Sequence, residues 1–196
     1  MLAALRCRGI INYMKNILFF GDSLTSGHGL NNIHLAFPGL IQKKIEDIGL
    51  DYRVINAGLS GEVTAGGRLR IDYYKNHAVD IFVLELGAND GLRGVPVPQT
   101  YNNLQAIIDK ARNYWPDCKM LLVGMLVPPL VGLRYFEDFM AIFPRLAEKN
   151  QMAFVPFLLE NVANRPELNQ ADGVHPTAAG QEIMAETVWK VLKTLL

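Results

Sequence analysis

A serine, an aspartate and a histidine in this sequence could do chemistry, but each only with help from the others. Ser23 sits in "GDSLTSG", directly after the apolar run Ile17 to Phe20. A hydroxyl on a post-strand turn is a poor nucleophile until a neighbouring base removes its proton. The segment "ADGVHPTAAG" offers such a base. Asp172 stands three residues before His175, and Pro176 falls where the first position of the last helix is expected. A carboxylate one turn upstream can orient the imidazole through Nδ1–H and leave Nε2 free to take a proton. Taken alone, the same residues read equally well as a turn aspartate beside a half-exposed histidine.

Attack of a serine on an acyl group places negative charge on the former carbonyl oxygen, which needs donors already in place. Three are available: the backbone N–H of Ser23, that of Gly61 in "NAGLSGE", and the side-chain amide of Asn89 in "ELGANDG". Glycine lets the backbone approach a substrate without a side chain in the way, and asparagine donates without bringing a charge. Each block taken singly is a turn or a helix cap; together they favour chemistry. Asp22, next to Ser23, points away from it on a tight turn and is expected to brace the loop, as are Glu62 and Asp90. His28 and His34 show no partner in the sequence and read as surface residues. Cys7 and Cys118 read as free thiols. No histidine or cysteine has metal-ligand spacing.

These residues need a frame. Strand-like runs "NILFFG", "YRVINAG", "DIFVLELG", "KMLLVGML" and "MAFVPFLL" lack polar alternation, as buried parallel strands do. Helical periodicity falls between and after them, at about 36–48, 63–76, 98–115, 135–150 and 177–195. That alternation predicts a single α/β domain over 14–196, a parallel sheet covered by helices on both faces. Ligands of such sheets bind beyond the carboxyl ends of the strands, where Ser23, Gly61 and Asn89 all fall. Residues 1–13 read as an N-terminal extension. Their charges follow rather than precede the first apolar residues, which is unlike a secretory signal; a cytoplasmic protein is expected, or a periplasmic or secreted one if translation starts elsewhere. The most apolar later stretch, "MLLVGMLVPPLVGL", is too short to span a bilayer.

Nineteen Lys and Arg balance nineteen Asp and Glu. That formal neutrality argues against nucleic acid as a partner, which calls for a basic surface, and leaves a small-molecule substrate. Two apolar loops flank the active edge, Gly91–Val97 and Leu126–Tyr135. From them and the nucleophile turn, Leu24, Gly91, Leu92, Val95, Val127, Leu130 and Tyr135 are candidate substrate contacts. Arg93 reads as a solvated charge or a partner for a polar head group.

With these residues in hand, the chain resembles the GDSL or SGNH hydrolases, in particular their thioesterase I, lysophospholipase L1 and arylesterase branch. The blocks that carry the likeness are "GDSLTSG", "NAGLSGE", "ELGANDGLRG" and "DGVHP", in the family's order, and the similarity runs from about residue 15 to the end. The resemblance implies a flavodoxin-like α/β/α sandwich with five parallel strands. It implies Ser23 as nucleophile, His175 as base and then acid, Asp172 as its orienting partner, and an oxyanion hole of Ser23, Gly61 and Asn89, with no cofactor. Departures are slight: Glu62-Val63 stand where the branch often has aspartate and threonine, and Ala88 where a second glycine is common. The implied reaction is hydrolysis of a carboxylic ester or acyl thioester. Two rivals are a carbohydrate acetylesterase with the same triad and a flavin- or nucleotide-binding module. The second lacks a Walker lysine and the dinucleotide glycine spacing.

Overall fold

The computed structural model describes residues 14–127 and 132–196. The segment 1–13, with Cys7, and Leu130 lie outside the described residues. Five strands form one sheet: β1 (Lys15–Gly21), β2 (Tyr52–Gly58), β3 (Ile81–Glu85), β4 (Lys119–Val123) and β5 (Ala153–Val155). Every pairing is parallel and the order is β2-β1-β3-β4-β5. This is the doubly wound order in which the switch point lies between β1 and β3.

Continuous apolar runs leave neither face of a strand fit for water, so both must be covered. Phe19 and Phe20 show how. Successive strand residues point to opposite faces. Phe19 meets Phe37 of α2 (Phe37–Asp47) edge-on at 5.6 Å, whereas Phe20 meets Tyr74, just beyond α3 (Thr64–Arg70), at 5.9 Å. Helices α2 and α3 therefore cover opposite faces. α7 (Ala178–Leu192) packs beside α2, while α5 (Val97–Tyr114) packs between α3 and α6 (Leu133–Lys149). Both phenylalanines are fully buried, each contributing about 1.5–3 kcal/mol. Two single-turn helices, α1 (Ser23–Ser26) and α4 (Ala88–Leu92), follow β1 and β3 directly. Among the described residues no helix is long and apolar enough to cross a membrane.

The register sets the working edge. Gly21 lies opposite Gly58 on β2 and Glu85 on β3, so three strands end level. Their loops emerge side by side at the switch point. Pro176 departs from the expectation that it opens the last helix. Helix α7 begins at Ala178, with Thr177 as its cap, and Pro176 pairs instead with Asn169 in an antiparallel bridge. The Gln170 amide donates to the His175 carbonyl at 2.7 Å and Thr177 N–H to Leu168 O at 2.9 Å. A proline lacks the N–H a ladder would ask of it, and its neighbours supply the donors. The turn carrying Asp172 and His175 is thereby closed at its base.

Candidate active site

The turn that carries Ser23 is built from its small residues outward. A Cβ at Gly21 would come within 2.0 Å of Thr25 Oγ1 and 2.5 Å of Glu85 Oε2, so the strand can end there only as glycine. Asp22 caps α1 by accepting from Leu24 N–H at 3.0 Å, and Gly27 ends the turn with φ +75°. Ser23 is thus held at the first position of α1 with its side chain toward the cleft. Its Oγ lies 2.9 Å from His175 Nε2, and His175 Nδ1 lies 2.7 Å from Asp172 Oδ2. The other Asp172 oxygen accepts from the backbone N–H groups of His175 (3.0 Å) and Val174 (2.9 Å). Those bonds, the His175 N–H foremost, hold the Asp172 carboxyl well below the usual carboxylate range. An ionised Asp172 assigns the proton of the neutral imidazole to Nδ1 and leaves the Nε2 lone pair facing the serine hydroxyl.

Beside this line stand the three donors. Among the described residues neither the Ser23 nor the Gly61 backbone N–H donates to a protein acceptor. Gly61 has φ +79°, a conformation that favours glycine, and Arg93 fixes that turn by donating to the Gly61 carbonyl at 3.1 Å. The Asn89 amide nitrogen donates to Glu62 O at 3.0 Å and to Asp22 Oδ2 at 3.3 Å. The longer of these is the one an incoming oxygen can share. Three amide donors therefore converge beside a serine, an imidazole and a carboxylate, an arrangement suited to acyl transfer.

The remaining acids brace the loops. Asp90 accepts from Thr64 N–H at 2.8 Å and from the Thr64 hydroxyl, tying the β3 loop to α3. Glu62 pairs with Arg70, whose guanidinium also donates to Ala57 O (2.8 Å) and Gly21 O (3.2 Å) and stacks on Phe20. Glu85 accepts from Thr25 Oγ1 at 2.7 Å and Asp22 N–H at 3.3 Å. Burial pushes the Glu85 carboxyl far up, and the charge of Asp22 adds to this. Burial likewise raises Asp22 to about 6, opposed by the Leu24 hydrogen bond.

A groove of about 680 Å³ opens at Ser23, His175 and Asn89 and runs beneath the ends of β4 and β5. Of the candidate substrate contacts, Leu24, Leu92 and Val127 form its wall. Gly91, Val95 and Tyr135 stand behind that wall. A Cβ on Gly91 would meet Val127 Cγ1 at 2.3 Å, and the Tyr135 hydroxyl is spent on Val95 O at 2.7 Å while its ring stacks on Phe139. Unforeseen wall residues are Met125, Leu126, Phe136, Phe157 and Leu159. Arg93 and His28 are exposed, as expected of surface residues, yet each has a partner. Arg93 is bonded to the Gly61 turn, and His28 has partners: its ring centroid lies 4.5 Å from that of His175 and its Nδ1 is 3.2 Å from Ser60 Oγ. His34 is exposed, as a surface residue should be.

Residues 19–183 match the model of the GDSL-like Lipase/Acylhydrolase family. The chain is 40% identical to Esterase TesA of Pseudomonas aeruginosa, over 93% of this chain and 90% of that protein. It is 35% identical to Thioesterase 1/protease 1/lysophospholipase L1 of Escherichia coli, over 92% of this chain and 84% of that protein. A crystal structure of TesA superposes with a TM-score of 0.87, covering 93% of this chain and all of that one. Strand order, ordered motifs and overall likeness agree: the chain belongs to the GDSL-like lipase/acylhydrolase family.

Proposed function

We propose that the protein hydrolyses carboxylic esters and acyl thioesters through Ser23, with His175 as general base and acid and Asp172 as its orienting acid. One observation carries the reading: the continuous line from Asp172 Oδ2 through His175 to Ser23 Oγ, at 2.7 and 2.9 Å. His175 Nε2 takes the serine proton as Oγ bonds to the acyl carbon. The oxygen, now negative, receives hydrogen bonds from the N–H groups of Ser23 and Gly61 and from the Asn89 amide. Collapse of the tetrahedral adduct breaks the bond to the alcohol or thiol, which leaves with the proton from Nε2. Water then attacks the acyl-serine, gives its proton to His175, and frees the acid as the proton returns to Ser23 Oγ. The Asp172 carboxylate stabilises the imidazolium in both halves.

The acyl chain occupies the groove walled by Leu24, Leu92, Met125, Val127, Phe136 and Phe157. Burying each methylene there is worth about 0.8 kcal/mol, so the rate is expected to rise with chain length until the groove is filled. An acetylated sugar would leave those side chains uncovered. The relatives named an esterase and a thioesterase support an acyl substrate without distinguishing its leaving group. The test is hydrolysis of p-nitrophenyl esters from acetyl to palmitoyl, and of the matching acyl-CoA thioesters, by wild type and Ser23→Ala. Activity lost in Ser23→Ala and greatest at medium or long chains supports the reading. An acetyl optimum overturns the groove assignment, and activity retained by Ser23→Ala overturns the mechanism.

A further inference from the structure

We propose that His28 is a positioning residue for His175, holding the imidazole on its line to Ser23; this rests on the roles proposed above for those two residues. The rings meet with centroids 4.5 Å apart and planes inclined at 45°. Both His175 nitrogens are already taken, Nε2 by Ser23 and Nδ1 by Asp172. His28 can therefore relay no proton, and what it offers is a surface against the ring. That support is needed because Asp172, the other restraint on the imidazole, holds only its edge and has a side chain 45% exposed.

His28 is itself fixed from two sides. Its Nδ1 lies 3.2 Å from Ser60 Oγ, which lies 3.1 Å from Ser26 Oγ, and Ser26 donates back to the Ser23 carbonyl at 3.2 Å. The His28 backbone N–H reaches the same carbonyl at 3.1 Å. The ring thus stands on the turn that presents the serine. From the opposite loop, the Gln170 side-chain amide donates to His28 O at 2.8 Å and Pro176 O at 3.0 Å. The Gln170 backbone N–H donates to His175 O at 2.7 Å. A Cβ at Gly29 would come within 2.1 Å of Gln170 Oε1, so the clamp closes only over a glycine. Gln170 ties the two histidine-bearing loops together, and the ring contact is where that tie reaches the reacting groups.

The role is read from steady-state kinetics on p-nitrophenyl octanoate with wild type, His28→Ala, His28→Gln and His28→Phe, and Ser23→Ala as the blank. Near-UV circular dichroism checks each fold; His28 is exposed and its loss should leave the core intact. His28→Ala and His28→Gln are expected to lower kcat roughly two- to tenfold, the factor one ring contact is worth, with KM unchanged. His28→Phe, which keeps a ring and loses the Ser60 bond, should return kcat to near wild type. Wild-type kcat in His28→Ala, a His28→Phe no better than Ala, or a loss carried by KM would each overturn the inference. A wild type without Ser23-dependent activity would overturn the mechanism on which it rests, and is seen before any His28 variant is compared.

Discussion

Asp22 offers a perturbation whose size can be worked out. It is fully buried beside the buried Glu85, and its carboxyl is raised from 3.8 to about 6, burial being the largest cause. The folded chain therefore holds this proton more tightly than the unfolded one. Stability from this group is greatest below about pH 3.8 and is lost as pH climbs through about 6. Complete loss is worth about 3 kcal/mol. Between pH 4.5 and 7.5 the linkage relation leaves about 2 kcal/mol of it. Asp22→Asn removes the charge and keeps the shape. It also sets one amide N–H against a donor, either Leu24 N–H or the Asn89 amide, at a cost of about 1 kcal/mol. That cost does not depend on pH, so the change in the mutant-to-wild-type gap isolates the charge. Thermal unfolding at the two pH values should show the mutant gaining about 4–8 °C on wild type at the higher pH, for a chain of this size. Relief of the charge facing Glu85 acts in the same direction. A gap constant with pH, or one that moves against the mutant as pH rises, would refute the claim that a buried charge is forced on this turn.

Asn89→Ala should lower kcat by about 10²–10³-fold with KM little changed, because the amide meets charge that exists only in the transition state; a loss under tenfold on p-nitrophenyl esters would remove it from the donor set. Gly91→Ala places a Cβ 2.3 Å from Val127 Cγ1 and 3.0 Å from Phe139. Overpacking of that kind costs about 1–3 kcal/mol, seen as a lowered Tm, and since Val127 is a groove wall the octanoyl ester should lose more rate than the acetyl ester. Equal losses on both esters would mean that the groove does not hold the acyl chain.

The fold was legible because the central strands β1, β3 and β4 are apolar runs buried on both faces, and β1 and β2 end at glycines. "YRVINAG" coincides with β2, and α2, α5, α6 and α7 lie within a few residues of their periodic segments, whereas α3 ends at Arg70, short of 76, and the single turns α1 and α4 had no segment of their own. The strands overrun where apolar character outlasts the ladder. "MAFVPFLL" contains only a three-residue β5, since Pro156 has no N–H to continue it; "DIFVLELG" ends at Glu85, before Gly87 turns the chain with φ +125°. The proposed reacting residues were legible because Ser23, Gly61 and Asn89 follow strands and Asp172 and His175 precede the last helix, each with the residue type that its proposed role requires. The groove was not. Met125, Phe136 and Phe157 belong to it, and Gly91, Val95 and Tyr135 do not, yet all are small or apolar residues near strand ends. Which side of a loop faces the cleft is decided by packing between loops. His28 escaped for a related reason: its partner lies across the molecule, and no periodicity marks a ring contact of that kind.

The strand order gives that division a consequence. The proposed reacting groups Ser23, Gly61 and Asn89 follow β1, β2 and β3, whereas Met125 and Phe157 follow β4 and β5. The donor half is locked by largely buried polar ties that cross between loops: Arg70 to the ends of β1 and β2, and Asp90 to Thr64. The groove half is held by apolar contacts such as Val127 against Gly91 and Tyr135 against Phe139. Apolar walls tolerate exchange for residues of similar volume at under about 1.5 kcal/mol. A buried polar tie that loses one partner costs more, because the other is left unsatisfied. Chain-length preference can therefore be altered at positions 125, 136 and 157 with the chemistry unchanged, whereas substitutions among the polar ties should reduce the rate on every ester alike.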